Sequence, residues 1–327
     1  MDVVRWGVIG CGAVTEVKSG PAFQKANGSA LVAVMRRDPQ KAADYARRHG
    51  VPGHYDNVAN LIADPEVDAV YVATPPSSHC ALALQVAAAG KPCLVEKPMA
   101  MNHGECRRMV ETFRAANLPL FVAYYRRALL RFLKVRELLR AGAIGTVSSV
   151  HITQYDFLAV GELAKTWRFD PRLAGAGLFY DLASHGFDLL DFLLGPVSAV
   201  SGYAVNTGRS YPAEDVTAAS FQFQSGPAGT GIWNFNADHE EDRLVITGSG
   251  GTLHAPVFTD GDVVVSSRER EERFEFRNPP HVHQPLVQTI VDQLLGRGAC
   301  ESTGETAART SLVLERCVDG YYRLLGP

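Results

Sequence analysis

The sequence predicts an α/β chain: an N-terminal doubly wound parallel sheet, then an α+β domain organised on a large, mostly antiparallel open sheet. Three features carry that expectation. Short apolar runs alternate with helical stretches through the first part of the chain. The first of these runs empties directly into a glycine turn. Beyond Gly142 the apolar pattern changes to a period of two, with few long helices between runs. At 327 residues the chain is longer than one core usually serves, and we expect two domains, residues 1–123 and 124–327.

Val3 to Ile9 reads as a buried parallel strand that ends in Gly10-Cys11-Gly12, after which a helix can begin. That order is the mechanical basis of dinucleotide binding by a Rossmann domain. Gly10 permits the tight turn. Gly12, having no Cβ, lets a pyrophosphate approach the amides of Ala13 and Val14 at the positive end of the helix, with Thr15 at the third small position. An ordinary glycine-containing turn is the plain alternative. Ala22 to Ala26 is a short helical stretch, and Ala30 to Met35 is the second buried strand. The side chains just past the end of that strand select the cofactor: an acid accepts hydrogen bonds from an adenosine ribose, whereas a guanidinium pairs with a 2′-phosphate. Arg36-Arg37 stand there with Asp38 one step on, so NADP is the preferred cofactor and NAD the alternative. The plain alternative is a pair of solvated charges ahead of a helix over Pro39–Arg48.

Asp68 to Thr74 is a further strand, closed by Pro75-Pro76, which cannot continue a central strand. Ser77 or Ser78 then caps a helix running to Ala89. Thr74, Pro75 and His79 therefore lie at the carboxyl edge of the sheet, where open α/β sheets bind ligands, although His79 also suits a helix first turn. The run Pro92 to Pro98 delivers Glu96 and Lys97 to the same edge, and Pro119 to Tyr125 is the last strand of this domain. A helix over Arg126–Arg140 comes next. Strands are expected at Val147–Phe157, Val197–Thr207, Thr217–Phe223, Thr230–Asn236, Leu244–Thr247, Thr252–Ala255 and Val263–Ser267. A helix over Ala183–Leu194 interrupts them. Two helices close the chain, one over Pro285–Leu295 and one opened by the capping box Ser302-x-x-Glu305.

Composition excludes several classes. With a net charge of −3 and 20% charged residues, the chain carries no electrostatic footprint for nucleic acid or an acidic membrane. No apolar run is long enough to span a bilayer, and the sequence enters a strand at once without a leader pattern, so a cytoplasmic protein is expected. The six cysteines show no C-x-x-C spacing and read as reduced, buried thiols, with no metal site and no disulfide framework.

Taken in order, Gly10-Cys11-Gly12, Ala73-Thr74-Pro75-Pro76-Ser77-Ser78-His79, Glu96-Lys97-Pro98 and the stretch Gly175 to Asp188 resemble the motifs of the glucose–fructose oxidoreductase/inositol dehydrogenase/MocA family. The resemblance spans most of the chain. It departs at Ala183, where the family often has Gly. It implies that Lys97 is catalytic and also contacts the nicotinamide end of the cofactor, and that His185 and Asp181 handle a proton. It further implies that the second sheet forms a dimer interface, hence a homodimer or higher homo-oligomer.

The residues support that chemistry on their own account. Hydride transfer at a carbinol carbon needs a group to handle the hydroxyl proton and a positive donor where charge builds on oxygen. Lys97 suits the second task. His185, with Asp181 four residues before it on one helix face, suits the first; the plain alternatives are a helix-start acid and a core histidine. For the substrate, Tyr124 and Arg127 leave the last strand of the first domain, Tyr155 ends a strand, and Trp167 and Arg168 precede Pro171. Aromatic faces among hydrogen-bonding groups suit a sugar or polyol, while a surface arginine and a core tryptophan are equally ordinary. His281 and His283 read as structural or rim residues. The expected activity is an NADP(H)-dependent oxidoreductase acting on a secondary alcohol or carbonyl of a sugar, polyol or related small molecule, in a cleft between the domains. A redox-neutral NAD-dependent glycosidase and a non-catalytic cofactor-sensing regulator are the alternatives.

Overall fold

A computed structural model describes residues 2–156 and 166–325. The chain forms two compact units: residues 1–129 with 279–308, and residues 130–278 with 309–327. A single cut after residue 123 does not describe this division, because a late helix buries Leu286, Val287, Ile290 and Val291 among Val4, Trp6 and Val8 of the first unit. An apolar helix face does not announce which core it will fill.

The elements run β1 (Val4–Ile9), α1 (Ala13–Val17), α2 (Gly20–Lys25), β2 (Ser29–Met35), α3 (Pro39–His49), β3 (Gly53–Tyr55), α4 (Val58–Ala63) and β4 (Ala69–Val72). Next come α5 (His79–Ala88), β5 (Cys93–Val95), α6 (His103–Ala115) and β6 (Leu120–Val122). All six strands are parallel, in the order β3-β2-β1-β4-β5-β6. This is the doubly wound order, with a switch point beside β1. Burial on both faces explains the continuous apolar runs: Trp6, Val8, Ile9 and Val70 to Val72 are all buried. The edge strand β3, Gly53-His54-Tyr55, has no apolar run, so its residues do not announce it.

The second unit contains α7 (Leu130–Arg140), β7 (Val147–Tyr155), α8 (Pro171–Ala174), α9 (Ser184–Leu194), β8 (Val197–Val205), β9 (Val216–Phe223), β10 (Ala228–Asn234), β11 (Glu241–Gly248), β12 (Gly251–Ala255), β13 (Val263–Ser266) and β14 (Glu271–Phe274). Its eight-stranded sheet has the order β14-β13-β12-β11-β7-β10-β9-β8 and is antiparallel except for the β7–β10 pair. The charged edge strand β14 escapes an apolar-alternation reading. Phe157, expected in β7, lies outside the described residues. Two helices close the chain: α10 (Gln284–Leu294), in the first unit, and α11 (Gly304–Leu325), most of it in the second.

Three local expectations are corrected. The single helix over Arg126–Arg140 is a 3-10 turn, Tyr125–Ala128, then an extended Leu129, then α7; the turn is tethered by Arg127, whose Nη1 donates to Glu301 O at 3.2 Å. The helix start expected at Ala183 is a widened π turn over Phe179–Ala183 before α9. The capping box of α11 is formed by Thr303 and Thr306, each backbone N–H donating to the other's hydroxyl at 3.2 and 3.3 Å. Ser302 does not serve in it because its hydroxyl donates to Val122 O at 2.7 Å beside β6. Among the described residues no helix is long and apolar enough to cross a membrane.

Candidate active site

In the first unit the sheet register builds one row of residues at the carboxyl edge. Met35, Ile9, Val72, Val95 and Val122 pair across β2, β1, β4, β5 and β6. The next row is therefore Arg36, Gly10, Ala73, Glu96 and Ala123, stitched by Gly10 N to Met35 O (2.9 Å), Ala73 N to Ile9 O (2.8 Å), Glu96 N to Val72 O (2.9 Å) and Ala123 N to Val95 O (2.9 Å). Strand periodicity thus brings the glycine turn, the Thr74 loop and the Glu96-Lys97 pair to one edge.

Gly10 has φ +93°, and a Cβ there would come within 2.8 Å of Thr74 Cγ2 and 3.0 Å of Ala73 O. Gly12 is different: a Cβ would meet nothing closer than Gly10 O at 3.8 Å. The room over Gly12 is where a pyrophosphate would approach the start of α1 with Ala13 and Val14, so the residues present fit a dinucleotide. Thr15 suits its position because its buried hydroxyl donates to Gly12 O at 2.8 Å, bracing the loop from within. Arg36 is half-buried and its Nη1 donates to Cys11 O at 3.2 Å, whereas Arg37 is exposed. Asp38 caps α3, its Oδ1 accepting the N–H groups of Gln40 and Lys41, each at 3.1 Å. The Lys41 backbone N–H, chief among these partners, holds the Asp38 carboxyl below its usual range.

The loop after β4 is bound internally. Ser78 supplies no side-chain cap to α5; its hydroxyl donates to Thr74 Oγ1 at 2.7 Å and Pro75 O at 2.9 Å. His79 is fully buried, with Nε2 2.7 Å from Thr74 O and Nδ1 3.1 Å from Pro98 O. Burial holds its pKa below the ordinary value, against the backbone carbonyls that face both ring nitrogens. His79 braces the Thr74 loop and the Lys97-Pro98 loop from behind. Pro98 comes after a cis peptide bond.

Beneath Lys97 lies a buried polar cluster. The Glu96 carboxylate accepts the Tyr71 hydroxyl at 2.5 Å, the Lys97 backbone N–H at 3.0 Å and His283 Nε2 at 3.2 Å. Burial works to raise this carboxyl, but the hydrogen bond and charge of His283, the charge of Lys97 and the Tyr71 hydroxyl outweigh it and hold the group at about 2. Glu96 is therefore an ionised anchor fixing the Lys97 peptide at the strand end, and the Lys97 side chain is half-buried. His283, read from the sequence as structural or rim, is a 2% exposed partner in this cluster, with the Tyr125 ring 4.7 Å away. His281 bridges Val17 O and the Lys25 ammonium, each at 2.8 Å.

In the second unit, α9 and the π turn rest on the inner face of the sheet. Phe179 and Phe187 pack on Trp233 at 5.0 and 5.2 Å, and Phe187 on Phe221 at 5.2 Å. This packing anchors both sides of the π turn that carries Asp181, a turn type often found at functional sites. Asp181 is buried and accepts Arg168 Nε at 3.1 Å, and Ser184 Oγ donates to Asp181 O at 3.1 Å. His185 is buried on the first turn of α9 with Phe258 edge-on to its ring at 5.9 Å. Phe258 is held in turn by Asp242, whose carboxylate accepts the N–H groups of Val257, Phe258 and Thr259 at 2.7–2.8 Å. Phe258 and Asp242 had no signal in the sequence, because their pairing with α9 is purely tertiary.

The expected substrate residues divide. Tyr124 is fully buried in the first unit's core, and Arg126 and Arg127 are buried, Arg126 over the Tyr125 ring at 4.9 Å. Neither arginine is a surface charge. Trp167 is half-buried with the Arg168 guanidinium over its ring at 4.6 Å, which links the aromatic face to the Asp181 partner. Tyr155 is half-buried and edge-on to His239 at 5.4 Å. The neighbouring Asp156 has its pKa raised by burial. Among the described residues no group of three or more His, Cys, Asp or Glu side chains is placed to hold a metal ion.

Comparison with known proteins identifies the family and the fold. A model of an oxidoreductase family with an NAD-binding Rossmann fold matches residues 4–124, and a GFO/IDH/MocA C-terminal domain model matches residues 132–254. Oxidoreductase P35 of Formosa agariphila is 38% identical over 316 residues, which cover 95% of this chain and 97% of that protein. A 1,5-anhydro-D-fructose reductase of Ensifer adhaerens is 28% identical over 311 residues, 92% of this chain and 91% of that protein. The solved structure of a levoglucosan dehydrogenase with NADH and L-sorbose shares the fold, with a TM-score of 0.88 at 21% identity over 99% of this chain and 98% of that one.

Proposed function

Because the chain belongs to the Gfo/Idh/MocA family of oxidoreductases, we propose that it moves a hydride between NADP(H) and the secondary alcohol or carbonyl of a sugar, polyol or anhydrosugar. The observation that supports this most strongly is the single sheet-edge row carrying the glycine turn at Gly10 and, two strands away, Glu96 with Lys97 after it. A bound nicotinamide supplies the hydride acceptor or donor. Lys97 directs its ammonium at the substrate oxygen as negative charge builds there, and the Glu96 anchor limits its freedom. His185 takes the hydroxyl proton in oxidation and returns it in reduction. Asp181 and Arg168 fix the polar surroundings of that proton transfer, with Trp167 offering a face for a sugar ring. The reading requires Lys97 and His185 to serve one substrate.

The preference for NADP rests on Arg36 and Arg37, and on Asp38 being engaged as the cap of α3 rather than as a ribose acceptor. The relatives named for 1,5-anhydro-D-fructose and levoglucosan make cyclic anhydrosugars the first substrates to try. The outward face of the second sheet, where Tyr203 is 80% exposed beside the exposed Val205, suits a second copy of the chain. The test is a screen of sugars, polyols and anhydrosugars with NADP and NAD, monitored by nicotinamide absorbance. Stoichiometric turnover faster with NADP supports the reading. Cleavage of a nitrophenyl glycoside with no net change in nicotinamide absorbance, in the absence of any dehydrogenase turnover, would overturn it.

A further inference from the structure

Glu214 lies between β8 and β9 of the second unit, fully buried and far in sequence from any motif. Its two carboxylate oxygens accept the backbone N–H of Gly177 at 2.9 and 3.0 Å. Its Oε2 also accepts the hydroxyl of Tyr322, from the last turns of α11. Gly177 is built for this approach: a Cβ there would fall 2.8 Å from Ala213 Cβ and 2.9 Å from both Glu214 O and Oε1. On its other side, Gly177 O accepts the N–H of Tyr180 at 3.1 Å, which opens the π turn carrying Asp181. Tyr322 and Glu214 thus fix the N–H side of Gly177, and the C=O on the other side of the same residue holds Tyr180, the residue before Asp181.

We propose that Glu214 is a positioning residue for the Asp181–His185 segment, and that its ionised form, clamped by Tyr322 and Gly177, is the form that holds this segment for proton transfer. The inference rests on the oxidoreductase reading above, since only that reading gives Asp181 and His185 a proton to handle. The groups around the carboxyl are Tyr322 and Tyr321 of α11, Tyr211 and the adjacent Asp215. Burial, the largest influence, raises the Glu214 carboxyl, the nearby Asp215 charge adds to that, and the Tyr322 hydroxyl and Gly177 N–H oppose it, leaving the group at about 7. The clamp therefore changes charge within the neutral range. When protonated, Glu214 offers a weaker acceptor to Gly177, and the peptide ahead of the π turn loses its fixed point.

The test combines a spectroscopic and a kinetic measurement on the full chain. With glycine labelled by 15N, the Gly177 amide of the wild type is expected to shift with a midpoint near 7. In Glu214→Gln, which keeps the shape and one acceptor oxygen but carries no titrating charge, that titration disappears. In Tyr322→Phe its midpoint rises by roughly one unit, because a bond favouring the ionised form is lost. Glu214→Gln should also lower kcat about tenfold at mildly alkaline pH with cofactor affinity unchanged. A Gly177 amide that does not titrate through the neutral range overturns the proposal, as does wild-type kcat in Glu214→Gln at every pH. If no dehydrogenase activity is found in the wild type, the functional reading fails, and the amide titration still reports separately on the clamp.

Discussion

The carboxylate of Glu96 and the imidazole of His283, 187 residues apart in the chain, meet at 3.2 Å inside the first unit. The contact ties the late segment that leads into α10 to the strand end that presents Lys97. It also makes the depressed Glu96 carboxyl a contributor to stability. Folded near 2 against an ordinary 4.5, this group stabilises the fold fully above about 4.5, and the contribution is lost as pH falls through 2. A shift of that size corresponds to roughly 3 kcal/mol. Glu96→Gln should therefore lower the urea midpoint at neutral pH and flatten its decline toward acid. A variant that unfolds with the wild-type pH profile would show that the Glu96 charge does not support the fold.

Gly10 and Gly12 stand two residues apart, yet their substitution should act on different properties. Gly10→Ala forces a Cβ to 2.8 Å from Thr74 Cγ2 at φ +93°, so it should lower the melting temperature even without cofactor. Gly12→Ala places its Cβ 3.8 Å from the nearest atom, Gly10 O, and should leave the melting temperature of the free chain near wild type while weakening dinucleotide binding. Thermal melts with and without cofactor, read beside a binding titration, separate the two. Equal effects of both substitutions on the free chain would contradict this account of the turn.

Removing both guanidinium groups with Arg36→Ser and Arg37→Ser should weaken NADP about 10- to 100-fold, the range for losing charge-assisted hydrogen bonds. NAD affinity should change far less, although Arg36 also donates to Cys11 O at 3.2 Å and its loss will loosen the glycine turn slightly. Fluorescence titrations with the two reduced cofactors measure the ratio. Parallel losses would show that these arginines support the loop and do not read a 2′-phosphate.

What the sequence made legible was local. The run from Val3 to Gly12 encodes a strand, a turn and a helix start in adjacent residues, and Glu96-Lys97-Pro98 marks a strand end by its abrupt change of polarity. The contacts beneath these motifs were not legible, because no spacing rule relates Glu96 to His283, Gly177 to Glu214, or His185 to Phe258. The widened turn at Phe179–Ala183 escaped too, because Phe179 packs on Trp233 from a distant strand and no local spacing announces a π turn. The same limit hid the placement of α10, whose apolar face reads alike whichever core receives it.

The claim on which the function depends is that Lys97 and His185 work on one reacting centre. It is tested most directly by single-turnover hydride-transfer rates for wild type, Lys97→Ala, His185→Ala and the double variant, on the best substrate from the screen. Each single change should slow transfer by about 10²- to 10⁴-fold, and the double variant should fall only slightly below the slower single, as groups acting as a unit do. Losses that multiply in the double variant, or a single variant that keeps the wild-type rate, would contradict the shared centre.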